Sequence, residues 1–183
     1  MAYVPTELDA PITRLGGPER VRAIVERFYD AMSDVEPALA RVHRCDPDGR
    51  VSRESRDRFA LFFIGWLGGP QDYIAQHGHP RLRMRHGRVP VDVAMRDAWL
   101  RCMGIALDAE GIDGDVRAFV DARLAEVADF LRNTQGLSRY APSSSLVRRA
   151  TLTRVCEHGS QHPPQHVGHR VSGMPSRGRT QAR

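Results

Sequence analysis

The chain has 183 residues, 41% of them hydrophobic, which suits one domain with a real core and room for tails. The formal net charge of +5 is unevenly placed. From Leu137 on there are eight arginines against one acid, whereas the preceding part holds the other 19 of the 27 basic residues and 21 of the 22 acids, so the folded part is nearly neutral. All basic residues are arginine, which weakens any reading of them as selected for phosphate, and no aromatic interleaving points to specific nucleic-acid binding. No stretch reaches the roughly 18 apolar residues a membrane span needs. Met1 to Ala10 lacks a secretory pattern. Cys45, Cys102 and Cys156 have no paired metal-ligand spacing and read as reduced thiols of a cytoplasmic protein.

In chain order, Val21, Ile24, Val25, Phe28, Ala31 and Met32 recur at helical spacing behind Pro18 and predict an amphipathic helix. A short helical piece follows from Pro37 to Val42. Ser52 caps the next helix, with Phe59, Phe62, Phe63, Trp66 and Leu67 on its inner face, and Gly68-Gly69-Pro70 stops it. Pro70 opens a short helix through Gln76. Pro80 to His86 is a further short segment whose alternating Arg and apolar residues leave helix and strand undecided. Asp92 caps a long helix carrying Met95, Ala98, Trp99, Cys102 and Ala106, ended by Gly111. Asp113 caps the last one, with Val116, Phe119, Val120, Leu124, Val127, Ala128 and Leu131 inward and Gly136 closing it. There is no persuasive strand pattern and no internal repeat. The fold class is all-α, in a domain of about 130 residues.

The segment richest in chemistry is His77-Gly78-His79-Pro80-Arg81-Leu82-Arg83-Met84-Arg85-His86. By residue type alone His86 is an ordinary surface histidine, and Trp99 and Tyr29 are core or half-buried helix residues. The order of the blocks changes that weighting. Phe28-Tyr29 lies on the first long helix, Trp66-Leu67-Gly68-Gly69-Pro70 precedes the His/Arg segment, and Arg96-Asp97-Ala98-Trp99-Leu100-Arg101-Cys102-Met103 follows, with Trp99 thirteen residues after His86. Together they resemble the group II truncated haemoglobins, compact microbial globins, from about Leu15 to Gly136. The division that follows is an N-terminal extension over 1–14, a globin domain over 15–136 and a basic tail over 137–183.

The resemblance implies a two-over-two helical sandwich around haem b, with His86 as the proximal ligand of the iron. Imidazole nitrogen suits iron, and its other nitrogen commonly donates to a carbonyl, which fixes tautomer and orientation. Arg81, Arg83 and Arg85 lie close to that ligand and either pair with haem propionates or are solvated. Met84, Phe62 and Phe63 are further haem-packing candidates. On the ligand side the resemblance places Tyr29, His43 and Trp99, whose polar hydrogens would hold a diatomic ligand polarised by ferrous iron. Ser55 and Phe59 fall on the facing helix, Ser55 as a polar entry and Phe59 as an apolar wall. The implied partners are oxygen, nitric oxide or another small diatomic molecule, and a reductase the sequence does not identify. The implied roles are oxygen binding or transport, or nitric oxide and peroxide detoxification.

The chain departs from that pattern in three places. His43 stands where Tyr or Phe is commoner. Gly87-Arg88-Val89 stands where a Pro-Phe pair usually follows the ligand, which would loosen the haem contact or, at the extreme, mark a domain that has lost haem. The third is the long tail, rich in Pro, Ser, Gly, His and Arg, which reads as disordered. Its Cys156, His158, His162, His166 and His169 have spacings that suit zinc or nickel, but Pro163 and Pro164 interrupt any shared helical face. A gas-sensing or interaction protein acting through this tail is the alternative function.

Overall fold

The structure, a computed structural model, describes residues 3–134. Among them there are helices α1 (Pro11–Arg14), α2 (Pro18–Val35), α3 (Pro37–Ala40), α4 (Arg53–Trp66), α5 (Asp72–His77), α6 (Leu82–His86), α7 (Val93–Ala109) and α8 (Gly114–Phe130). No strand occurs among the described residues, where Cys45 and Val51 form an isolated antiparallel bridge. The pair α2 and α4 lies against the pair α7 and α8, with α2 on α7 as the most extensive contact. This is the two-layer helical sandwich expected from the sequence. The apolar stripe of α2 is the centre of the core, with Val21, Ile24, Val25, Phe28 and Met32 sealed from solvent. Cys102, Ala106 and Leu107 of α7 meet it from across the layer.

Local signals explain the helix limits. The Ser52 hydroxyl accepts from the Ser55 amide at 3.3 Å, and the Asp92 carboxylate accepts from the Met95 amide at 2.8 Å, so both caps form as expected. Asp113 takes the cap position of α8 with extended backbone, but its side chain makes no cap bond. The helix after Gly68-Gly69-Pro70 starts two residues beyond Pro70, at Asp72, and runs one residue past the expected end. The undecided His/Arg segment resolves as a helix.

The N-terminal residues do more than precede the domain. Tyr3 and Ile12 are buried in the core, and the Ile12 amide donates to the Leu67 carbonyl at 3.0 Å. This explains the double glycine. A Cβ on Gly69 would sit 2.5 Å from Ile12 Cδ1 and 2.9 Å from the Ile64 carbonyl oxygen. The corner between α4 and α5 therefore accepts the N-terminal segment only where side chains are absent. Gly136 and the tail candidates Cys156, His158, His162, His166 and His169 lie outside the described residues.

Candidate haem-binding site

A cavity of about 350 Å³ opens between α2, α4, α5, α6, α7 and α8. His86, Tyr29, His43, Ser55, Phe59, Phe62, Phe63, Trp99 and Arg85 all line it, although they are scattered over 71 positions of the chain. A second cavity of about 210 Å³ shares His43, Arg85, His86 and Trp99 with it, so the two are lobes of one cleft.

Its polar groups are few and specific. The last residue of α6, His86, has Nδ1 2.8 Å from the Leu82 carbonyl, one turn earlier. That bond puts the proton on Nδ1 and leaves the Nε2 lone pair free as a metal ligand. Asn133 steadies the residues that follow. Its amide Nδ2 donates to the carbonyls of His86 and Val89 at 3.1 and 2.9 Å, and its Oδ1 accepts from the Val91 amide at 2.9 Å. The Gly87-Arg88-Val89 departure is thus pinned by a residue 47 positions beyond His86. On the entry side of α6, Arg81 holds left-handed backbone (φ 44°), the one non-glycine to do so among the described residues.

The ligand side is aromatic. Phe28 meets Tyr29 at 4.9 Å and Trp99 at 5.2 Å between ring centroids, and Phe59 stacks on Phe63 at 5.5 Å with planes 7° apart. Tyr29 stands edge-on to His43 at 5.7 Å. Neither the Tyr29 hydroxyl nor the Trp99 indole N–H has a hydrogen-bond partner among the described residues. Burial pushes the Tyr29 hydroxyl well above its ordinary value, so it stays a protonated donor. His43 Nδ1 lies 3.1 Å from the Leu39 carbonyl, which again puts the proton on Nδ1 and makes Nε2 an acceptor. Burial lowers the His43 value, with nearby His86 adding to the effect against the backbone bond to Leu39, so His43 is neutral at pH 7. Beneath Tyr29 lies Arg56, 6% exposed, its guanidinium 5.6 Å from the ring centroid and bonded to Glu26 and Asp30 at 2.9 and 3.0 Å.

Some of the sequence-derived site residues stand elsewhere. Met84 is 70% exposed, and neither it nor Arg81 or Arg83 lines the cavity. Ser55 lines it, but its hydroxyl is 2.9 Å from the Ser52 hydroxyl and belongs to the helix cap. Sequence reasoning missed Arg58, Tyr73, Leu82, Leu124 and Val127, all on the cavity wall. Arg58 is the informative one. Its Nε is buried with no hydrogen-bond partner, while its Nη2 donates to Glu54 at 2.7 Å. The spacing of Glu54 and Arg58 is that of a surface helix pair, and nothing in the sequence separates the two cases.

These residues fit a haem. The walls are apolar and aromatic, as a porphyrin face requires, and two imidazoles, those of His86 and His43, each present an Nε2 without a partner among the described residues. Arg58 brings an unmet N–H, and Arg85, held by its Nε to the Pro80 carbonyl at 2.9 Å, brings a second guanidinium to the cavity for carboxylates.

The comparisons with known proteins agree with this geometry. A family model for bacterial-like globins matches residues 12–133. The chain is 33% identical over 125 residues to the group 2 truncated hemoglobin YjbI of Bacillus subtilis (strain 168), covering 68% of this chain and 89% of that protein. Among solved structures, the truncated oxygen-avid haemoglobin of Bacillus subtilis is 34% identical with a TM-score of 0.61, covering 68% of this chain and 99% of that one. The cold-adapted truncated hemoglobin of the Antarctic marine bacterium Pseudoalteromonas haloplanktis TAC125 is 36% identical with a TM-score of 0.62, covering 69% and 99%. With that sequence likeness, that helical sandwich and that cleft, the chain belongs to the bacterial-like globin family, among the group II truncated haemoglobins, whose members carry haem b and bind small gas molecules with it.

Proposed function

We propose that this chain holds haem b through Nε2 of His86 and binds oxygen tightly against Tyr29 and Trp99. When bound, ferrous haem supplies an open coordination position and the electron density that makes a diatomic gas a hydrogen-bond acceptor. The rest is work done by the chain. The Leu82 carbonyl keeps the His86 proton on Nδ1, and the Asn133 amide holds the carbonyl of the same residue, so the imidazole has one orientation. Arg58 and Arg85 would hold the haem carboxylates. Phe59, Phe62 and Phe63 exclude water from the cavity, which strengthens each polar contact inside it.

The observation that carries the reading is the pair of unpartnered donors, Tyr29 and Trp99, in a cavity shared with a histidine whose Nε2 is free. Each donor contributes about 1.5–3 kcal/mol to a partly charged acceptor, or roughly ten- to hundredfold in dissociation rate. His43, with its proton on Nδ1, adds no donor there. Transfer of ferrous protein from oxygenated to carbon monoxide-saturated buffer tests this. The reading requires slow oxygen loss that speeds up in Tyr29→Phe. Wild-type release as fast as in the variant contradicts it.

A further inference from the structure

Of the 19 arginines among the described residues, 14 lie within 4.0 Å of a carboxylate. The exceptions are Arg41 and, around His86, Arg81, Arg83, Arg85 and Arg88. These four fall within eight positions, all are exposed, and none is matched by an acid. Arg85 lines the haem cleft and has work there. The other three do not.

The unmatched cations frame a formed surface. Arg83 and Arg88 stand on one groove of about 430 Å³, with Pro90, Leu131, Asn133 and Thr134 as other parts of its wall. The Arg83 guanidinium lies 5.1 Å from the Phe130 ring centroid, a cation–π contact that holds it in place while its N–H groups stay free for an acceptor. Beside it are the two most exposed large apolar side chains of this region, Met84 at 70% and Phe130 at 56%. Met, Phe and Arg together, with the charge at the rim, are the composition of a protein interface. The patch adjoins the site it would serve, since Arg83 precedes His86 by three residues on α6, about 4.5 Å along a helix axis.

Charge selects the occupant. The chain's own segment after Leu137, with eight arginines and one acid, carries the wrong charge for this groove. A second copy related by a two-fold axis would set arginine against arginine. We infer that the exposed face formed by Arg81, Arg83, Met84, Arg88 and Phe130 docks an acidic electron-donor protein. This rests on the haem reading above and adds where, and by what charge, the reducing partner binds. In the step it serves, one electron leaves the donor's reduced flavin and ferric haem iron becomes ferrous, with no bond made or broken in this chain.

The test uses a flavodoxin, an acidic flavin protein, with the haem-loaded full chain. Arg83→Glu/Arg88→Glu is compared with Arg22→Glu/Arg123→Glu, which changes net charge equally on other helices. The groove variant is expected to slow reduction of the ferric protein under carbon monoxide by about tenfold or more at low salt, with the gap closing at high salt. The control pair should lie within about threefold of wild type. Oxidised flavodoxin should shift backbone amide resonances in residues 81–89 and 130–134 of the wild type and leave those of the groove variant unmoved. Equal slowing by both variants, shifts confined to other helices, or no salt dependence overturns the inference. So does retention on double-stranded DNA that the groove variant loses while flavodoxin still reduces it at the wild-type rate. A wild-type chain that takes up no haem defeats the earlier reading instead, and the amide shifts still report docking.

Discussion

Tyr29 is buried and Trp99 is partly buried against the core, and each carries one polar hydrogen that a Phe in its place would lack. That makes them sharp probes. Tyr29→Phe keeps the aromatic packing against Phe28 and removes a donor, so it should raise the oxygen dissociation rate by about tenfold or more with little change in thermal stability, whereas Trp99→Phe removes its donor together with part of the ring and should lower the melting temperature as well. His43 makes a pH prediction. Its folded value lies below its ordinary 6.5, so the unfolded chain binds the proton more readily. Stability is then unaffected by His43 at pH 7–8 and falls as pH drops through 6.5 toward the folded value. In apo-protein, His43→Phe should flatten the loss of melting temperature between pH 7 and pH 5.5, and an unchanged slope would contradict the assignment. Arg56 couples Glu26 and Asp30 beneath Tyr29. Both carboxylates are partly exposed, so Arg56→Met should cost only about 1–3 kcal/mol by urea denaturation. At this scale the family resemblance led to His86, Tyr29 and Trp99. Arg58 was illegible, because a buried Nε is a property of the assembled cleft and leaves no mark on the Glu54/Arg58 spacing. The inert character of Cys102 was legible from its inward helical position, and burial indeed pushes its thiol up to about 11.

At the level of elements, the long helices were readable because apolar period and cap agree, as at Ser52 and Asp92. Asp92→Ala should cost about 1 kcal/mol, and Asp113→Ala markedly less, since only Asp92 makes its cap bond. Comparing the two denaturation midpoints checks this. Short elements were harder. Residues 82–86 alternate like a strand, and the turn into them uses left-handed backbone at Arg81, which its residue type does not announce. The Gly68-Gly69 pair was read as a stop signal, but Gly69 is also fixed by long-range packing. Gly69→Ala should destabilise the fold by about 1–3 kcal/mol by clashing with Ile64 at the end of α4 and with Ile12, which is 57 positions away.

For the molecule as a whole, the two helix layers form one cleft, and residues from six helices line its larger lobe. Composition revealed the split between a nearly neutral folded part and a basic end. It did not reveal that Tyr3 and Ile12 pack into the core or that Asn133 clamps the residues after His86. A chain ending after residue 136 keeps all of these contacts, and it should bind haem and oxygen as the full chain does. One bond underlies the whole reading, from His86 Nε2 to iron. The most direct measurement is an absorption titration of purified protein with haemin, for wild type and His86→Ala. The wild type should saturate at one equivalent with an imidazole-ligated spectrum, while the variant loses that spectrum and recovers it on adding free imidazole. A colourless wild type, or a variant whose ligation is unchanged, would contradict the account.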